Sequence, residues 1–303
     1  MNLASPSNVR SLLKRLNVRP SRRMGQNFLV DSNILGILTR AAAVKEDDTV
    51  FEPGPGLGIL TGKLLEKARQ VVAVEKDRRL FEHLREALGE RGNLRLIHGD
   101  ACETAVRGKN SSGNGTSGEE TAVVADKVVS NLPFSTGSRI LCELAAADPP
   151  PSEVLVTVQL EVAKRLTAPA GSKDYGLLSL WTRLVYDVKM LRKVSPGCFW
   201  PKPAVYSAIV RLKRRGDLPG TAEERGKCRY VAGRAFARRR KQMATILKSL
   251  PGCAPPGDDD PADVLEGAGI EYEARPAELA PEDWMKLIKA LTLKTPGVFM
   301  SMG

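Results

Sequence analysis

The chain has 303 residues, 42% hydrophobic and 27% charged. That is the make-up of an ordinary globular protein of about two domains, with length enough to bury a core without disulfides or metal. No apolar run approaches the ~18 residues of a membrane span, the five cysteines never form a C-x-x-C pair, and His83 and His98 are the only histidines, which argues against a membrane protein, a disulfide scaffold and a metal site, and for a reducing, cytoplasmic setting.

The net charge of +11 is local. Residues 1–25 carry +6 and residues 211–241 carry +9, leaving −4 on the other 247. Localised positive charge points to a polyanion, nucleic acid before membrane; a solvated basic face is the plain alternative. The first 25 residues hold no acid and no apolar signal core. An organellar transit peptide and a basic nucleic-acid-binding arm fit them equally, though the motif at Gly25 argues that the end of this segment is retained.

From about Asp47, short apolar runs alternate with helical periods. Thr49–Glu52 reads as a strand ending in Pro53-Gly54-Pro55-Gly56-Leu57-Gly58, and residues 59–67 read as a helix. Gln70–Glu75 is a buried strand, and Arg78–Leu88 is a helix with Leu80, Leu84 and Leu88 on one face. Residues 93–97 form a strand ending at Gly99-Asp100. Residues 108–121 are low in complexity, without a core former, and read as a flexible surface insertion. Residues 127–130 are a strand followed by Asn131-Leu132-Pro133-Phe134, then a helix over 138–146. A strand over 153–158 runs into a helix over 160–166. Residues 177–186 read as a helix and 206–212 as a late strand. Beyond a polar linker at 213–220 the pattern is helical: 225–250, about 261–268, and 281–291. Strand–helix alternation implies an open α/β sheet with mainly parallel strands, followed by a small helical domain.

Three motifs stand at successive strand ends. Glycines at 54, 56 and 58 let a ligand approach the backbone at a helix N-terminus, and Glu75 ends the next strand, where a carboxylate can accept both hydroxyls of a ribose. Dinucleotide and S-adenosylmethionine (SAM) sites share this pattern. Ile59 stands where a G-x-G-x-x-G fingerprint needs glycine, which disfavours NAD. Asp100 can accept from an adenine amino group, or can simply cap a helix. At Asn131–Phe134, the Asn131 side-chain oxygen and the Leu132 carbonyl can accept the two hydrogens of an adenine amine. That draws the nitrogen toward tetrahedral geometry. Pro133 stiffens the turn, and Phe134 offers a face for an extruded base. An ordinary Asn-x-Pro turn is the bland alternative for the last motif alone.

Together these motifs resemble the rRNA adenine N6,N6-dimethyltransferase family, in particular its small-subunit branch. Supporting segments include Arg22–Leu29 with Asp31, Val74–Asp77, Gly99–Ala101, Gln159–Leu166, Tyr175–Ser179, Phe199–Ser207 and Phe236–Lys241, so the likeness runs from about Arg22 to Leu250. It implies an α/β class I SAM-dependent methyltransferase fold, a Rossmann-like open sheet with a small all-helical C-terminal domain. It implies a basic arm at 1–24, a SAM-binding catalytic domain at 25–213 and an rRNA-binding helical domain at 214–303. By motif match, Asn27, Leu29, Gly54, Gly56, Glu75, Asp100 and Asn131 would line the SAM site, and Asn131, Leu132, Pro133 and Phe134 would act on the base. Arg22, Arg23, Arg238, Arg239 and Lys241 would contact rRNA phosphates. A single helix over 225–250 would place Arg240 on an apolar stripe with Phe236, Met243, Leu247 and Leu250.

The implied reaction is dimethylation of two adjacent adenosines near the 3′ end of 16S rRNA. SAM would be the methyl donor, no metal would be needed, and a monomer would act on a pre-ribosomal particle. The chain departs from the family pattern at Phe134, where bacterial relatives usually have Tyr, at Pro53, at Thr245 and in the 108–121 insertion. Stacking survives the loss of the hydroxyl at 134, and none of these changes removes a group the chemistry needs. Two alternatives stay open: a large-subunit adenine methyltransferase of the erythromycin-resistance type, and a non-catalytic relative like the mitochondrial transcription factors of this lineage.

Overall fold

The computed structural model describes residues 5–21, 23–104, 106–107, 123–250, 253–254 and 260–293. Arg22 and the 108–121 insertion lie outside the described residues. The chain divides into two compact units: Met1–Ala163 with Asp187–Arg214, and Lys164–Tyr186 with Arg215–Gly303. The second unit thus takes Lys164–Tyr186 from within the 25–213 span expected for a single domain.

The first unit is built on seven strands: β1 (Thr49–Pro53), β2 (Gln70–Glu75), β3 (Leu94–His98), β4 (Lys127–Asn131), β5 (Glu153–Gln159), β6 (Tyr186–Val194) and β7 (Ser207–Arg214). Their order is β3-β2-β1-β4-β5-β7-β6. The pairings β3-β2, β2-β1, β1-β4 and β4-β5 are parallel, and β7 runs antiparallel to β5. Strand order reverses between β1 and β4, and this switch point is where open α/β sheets leave a crevice at the carboxyl ends of their strands. Val50, Phe51, Val71, Ala73 and Val128 are fully buried, as strands covered on both faces require.

Two sequence readings need correction. The helix read over 177–186 stops at Arg183 (Leu177–Arg183), and β6 begins at Tyr186. From Tyr186 the residues alternate apolar and polar, Y-D-V-K-M, a period of two that overrides the helical reading. The helix read over 225–250 is two helices, Ala222–Phe236 and Met243–Lys248. Four consecutive cations at 238–241 offer no apolar face, and the backbone turns there through Arg238 N–H to the Ala235 carbonyl (2.9 Å) and Lys241 N–H to the Arg238 carbonyl (2.8 Å). Met243 N–H then bonds the Ala274 carbonyl at 2.8 Å. With the period broken, Arg240 leaves the apolar stripe and is exposed.

The N-terminal segment is more than an arm. Pro6–Arg15 forms helix α1, whose Val9, Leu12 and Leu13 are buried in a cluster with Val18, Phe28, Val30, Leu57 and Leu80. Its cations sit on the other side of an amphipathic helix. Asp31 caps the next helix, α2 (Ser32–Ala42), by accepting from the N–H groups of Asn33 and Ile34 at 2.9 Å each.

In the second unit Phe236 stacks on Trp284 (centroids 6.0 Å apart) and lies 6.2 Å from Tyr175. Trp284 and Tyr175 are fully buried, and Tyr175 donates its hydroxyl to the Leu279 carbonyl at 3.0 Å. Apart from a two-residue strand pair, Cys253–Ala254 with Thr292–Leu293, the described part of residues 215–293 beyond the sheet is helical or irregular.

At the amino end of the sheet, Lys127 pairs with Asp48 at 2.9 Å, both side chains only 11% exposed. The ammonium also donates to the carbonyls of Ala42 and Ala43 at 3.2 and 2.7 Å. Removing one partner of such a pair strands the other charge in a desolvated place. Lys127→Met is expected to destabilise the protein by about 3 kcal/mol in urea unfolding, and a second change, Asp48→Leu, is expected to recover part of the loss.

Candidate active site

A cavity of about 550 Å³ lies wholly within the first unit, at the carboxyl ends of β1, β2, β3 and β4. Its floor is the turn after β1. Gly54, Gly56 and Gly58 carry φ of +70°, +60° and +78°, the left-handed region, so the chain can double back into helix α3 (Ile59–Leu65). A side chain at Gly56 would stand 3.2 Å from the Phe28 ring, so the glycine keeps this stretch of wall open.

Two acids meet there. Glu75, 5% exposed, accepts from Gly56 N–H at 3.0 Å through one carboxylate oxygen and from Asp77 N–H at 2.9 Å through the other. Burial pushes its carboxyl upward, against the pull of those two N–H bonds. Glu52, inside β1 and 1% exposed, has one carboxylate oxygen buried without a partner. Its carboxyl is pushed up to about 8, chiefly by burial and further by Glu75, while the Thr61 hydroxyl opposes the rise. Sequence reading assigned Glu52 no role, although an acid inside the strand T-V-F-E-P was itself the signal. A buried carboxyl of this kind is a seat for a cationic ligand, which would repay its desolvation.

The third wall is Asn131–Phe134. The Asn131 amide nitrogen donates to the Asn27 carbonyl at 2.9 Å. That fixes the amide orientation and leaves its oxygen buried with no partner. Leu132 N–H bonds the Thr157 carbonyl at 3.2 Å, which holds the turn to β5. Phe134 is half-buried, and its ring meets Phe199 edge-on with centroids 6.1 Å apart.

The segment before α2 closes the cavity. Phe134 N–H bonds the Gly25 carbonyl at 3.2 Å, and the Asn27 side chain donates to the same carbonyl at 3.3 Å. Gly25 has φ +65°, and a Cβ there would fall 2.4 Å from the Ser135 nitrogen, so no other residue fits without moving the turn. Gln26 reaches the cap of helix α4 (Arg78–Leu88), donating to Asp77 at 3.1 Å. On the far side Asp100 forms an ion pair with Lys76 at 2.6 Å.

Asn27, Leu29, Gly54, Gly56, Glu75, Asp100, Asn131, Leu132 and Pro133 therefore line one cavity, together with Arg23, which is exposed. Phe134 stands beside that lining. Arg238, Arg239 and Lys241 are exposed in the second unit, but two of them are engaged: Arg238 donates to the Ser249 hydroxyl, and Arg239 to the carbonyls of Ser172 and Lys173 at 3.3 and 3.0 Å. Among the described residues no group of three His, Cys, Asp or Glu is placed to hold a metal, and no helix is long and apolar enough to cross a membrane.

The family model described as "Ribosomal RNA adenine dimethylase" matches residues 17–292. The chain belongs to the ribosomal RNA adenine dimethylase family. Ribosomal RNA small subunit methyltransferase A of Streptomyces griseus is 37% identical over 288 residues, 93% of each chain. A dimethyladenosine transferase from Plasmodium falciparum has a similar structure, with TM-score 0.69 and 26% identity over 86% of this chain and 95% of its own. The 23S rRNA methyltransferase ErmE follows with TM-score 0.60 and 26% identity, covering 88% of this chain and 99% of its own. This dimethylase-family chain is thus a SAM-dependent methyltransferase with a class I fold.

A raised folded-state pKa favours the protonated form of Glu52. Its contribution to stability is complete below its ordinary value of 4.5 and is lost as pH rises through about 8. In thermal unfolding at several pH values, Glu52→Gln is expected to be flatter than the parent across that window, by at most about 1.4 kcal/mol per pH unit.

Proposed function

We propose that the protein transfers methyl groups from SAM to the N6 amines of two adjacent adenosines near the 3′ end of small-subunit rRNA, each base held extruded during transfer. The observation that carries this reading is the buried, unpartnered oxygen of Asn131 at the cavity wall, its nitrogen already committed to Asn27.

The cavity lining suits the donor. Glu75 has the remaining lone pairs to accept ribose hydroxyls, Asp100 can accept an adenine amino group, and the open carboxyl of Glu52 can ionise beside a bound cation. When bound, SAM supplies an electrophilic methyl group on a sulfonium whose departing thioether is neutral. The protein's work is then positioning. The Asn131 oxygen and the Leu132 carbonyl accept the two amine hydrogens of the target base, localising the lone pair that attacks. The Phe134 ring supports the base by stacking, which the missing hydroxyl of tyrosine does not impair. The amine's surplus proton leaves to water after transfer, and no general base is required beforehand.

The many relatives named as small-subunit enzymes favour the small-subunit RNA as substrate. The likeness to ErmE keeps large-subunit RNA as the second reading. Arg22, Arg23, Arg238, Arg239 and Lys241 are proposed phosphate contacts of a monomer acting on a cytoplasmic pre-ribosomal particle. Arg240, exposed in the same turn, joins that set.

The deciding experiment offers labelled SAM to small- and large-subunit particles from cells lacking such an enzyme, followed by nucleoside analysis. Dimethyladenosine in the small-subunit RNA is expected, and Asn131→Ala should lower its rate by at least about 100-fold. Label confined to large-subunit RNA would reassign the substrate. SAM and RNA binding without label would make the chain a binding factor. For the basic turn, Lys241→Ala is expected to reduce the salt dependence of RNA binding by about one released counterion.

A further inference from the structure

We propose that Lys76 is a positioning residue for the adenine end of the methyl donor, holding the Asp100 carboxylate where it accepts the adenine amino group. The inference rests on the SAM reading of the cavity and extends it to a residue outside the three motifs.

Placement comes first. β2 and β3 are adjacent and parallel, with Glu75 opposite His98, so Lys76 and Asp100 continue neighbouring strands past the sheet edge. Both line the cavity. The Lys76 ammonium meets one Asp100 oxygen at 2.6 Å, and Cys102 N–H meets the other at 2.9 Å. With both oxygens held, the plane of the carboxylate is set before any ligand arrives. A carboxylate offers about four acceptor positions, so two remain for an amino group.

Charge points the same way. The Lys76 ammonium holds the Asp100 carboxyl below its usual range, and a carboxylate is purely an acceptor. By fixing the plane of that acceptor, Lys76 sharpens the preference for an amino group over a carbonyl at that ring position.

A purely structural role fits poorly. The Lys76 side chain is 63% exposed, and an exposed ion pair adds little to folding stability. What it can do cheaply is orient a partner that is itself only 18% exposed.

The test is calorimetric titration of the full chain with two ligands: S-adenosylhomocysteine, and its inosine counterpart, in which a carbonyl replaces the amino group. Lys76→Met keeps the stem and removes the charge; Lys76→Arg keeps the charge. Lys76→Met should leave the unfolding temperature unchanged and raise Kd for S-adenosylhomocysteine by about fivefold at low salt. That gap should narrow at high salt. Binding of the inosine compound should not weaken, so discrimination between the two ligands falls, and Lys76→Arg should restore it. Unchanged affinity, tighter binding by Lys76→Met, or an equal loss for both ligands would overturn the proposal while leaving the donor site intact. Failure of the parent protein to bind S-adenosylhomocysteine at all would instead overturn the SAM reading, and the role of Lys76 with it.

Discussion

One hydrogen bond organises the cavity: the Asn131 amide nitrogen to the Asn27 carbonyl, across 104 residues of sequence. An asparagine amide has a donor end and an acceptor end, and committing the donor to a main-chain carbonyl decides which way the acceptor points. The bond also ties the segment before α2 to the turn after β4. That segment in turn carries Gly25, whose carbonyl receives the Phe134 N–H. The segment before α2 and the turn after β4 are thus one hydrogen-bonded piece of the cavity wall.

Around this piece the protein holds acids that are costly to ionise. Glu52 and Glu75 are both buried at the carboxyl edge of the sheet; burial raises the cost of ionising each, and Glu75 adds to the cost at Glu52. Interiors tolerate such groups when a ligand or partner compensates them. The proposed donor, with a cationic centre and ribose hydroxyls, would supply both kinds of compensation. The backbone N–H groups of Gly56 and Asp77 cover part of the cost at Glu75. Glu52 has an oxygen with no such cover.

Much of this was legible from residues alone. The glycine turn, the acid after β2 and Asn-Leu-Pro-Phe after β4 are local patterns that report backbone conformation and strand ends directly. Gln70–Glu75 and Arg78–Leu88 matched the structure residue for residue because their apolar periods are unambiguous. The helix over 225–250 failed because its apolar residues share a helical spacing across a gap that the chain does not keep helical. Helix α1 was hidden because six cations in residues 1–25 outweighed the spacing of Val9, Leu12 and Leu13.

The sequence by itself determined the class of fold and placed the three motifs at strand ends, since each depends on neighbours within a few residues. Tertiary structure alone decided which polar groups lose water and which find partners. It placed Asn27 against Asn131, buried Glu52 beside Glu75, paired Lys76 with Asp100 and turned Arg238 and Arg239 onto their own chain. The physical reason is common to all of these: desolvation and hydrogen-bond satisfaction depend on groups that are distant in sequence and brought together only by packing.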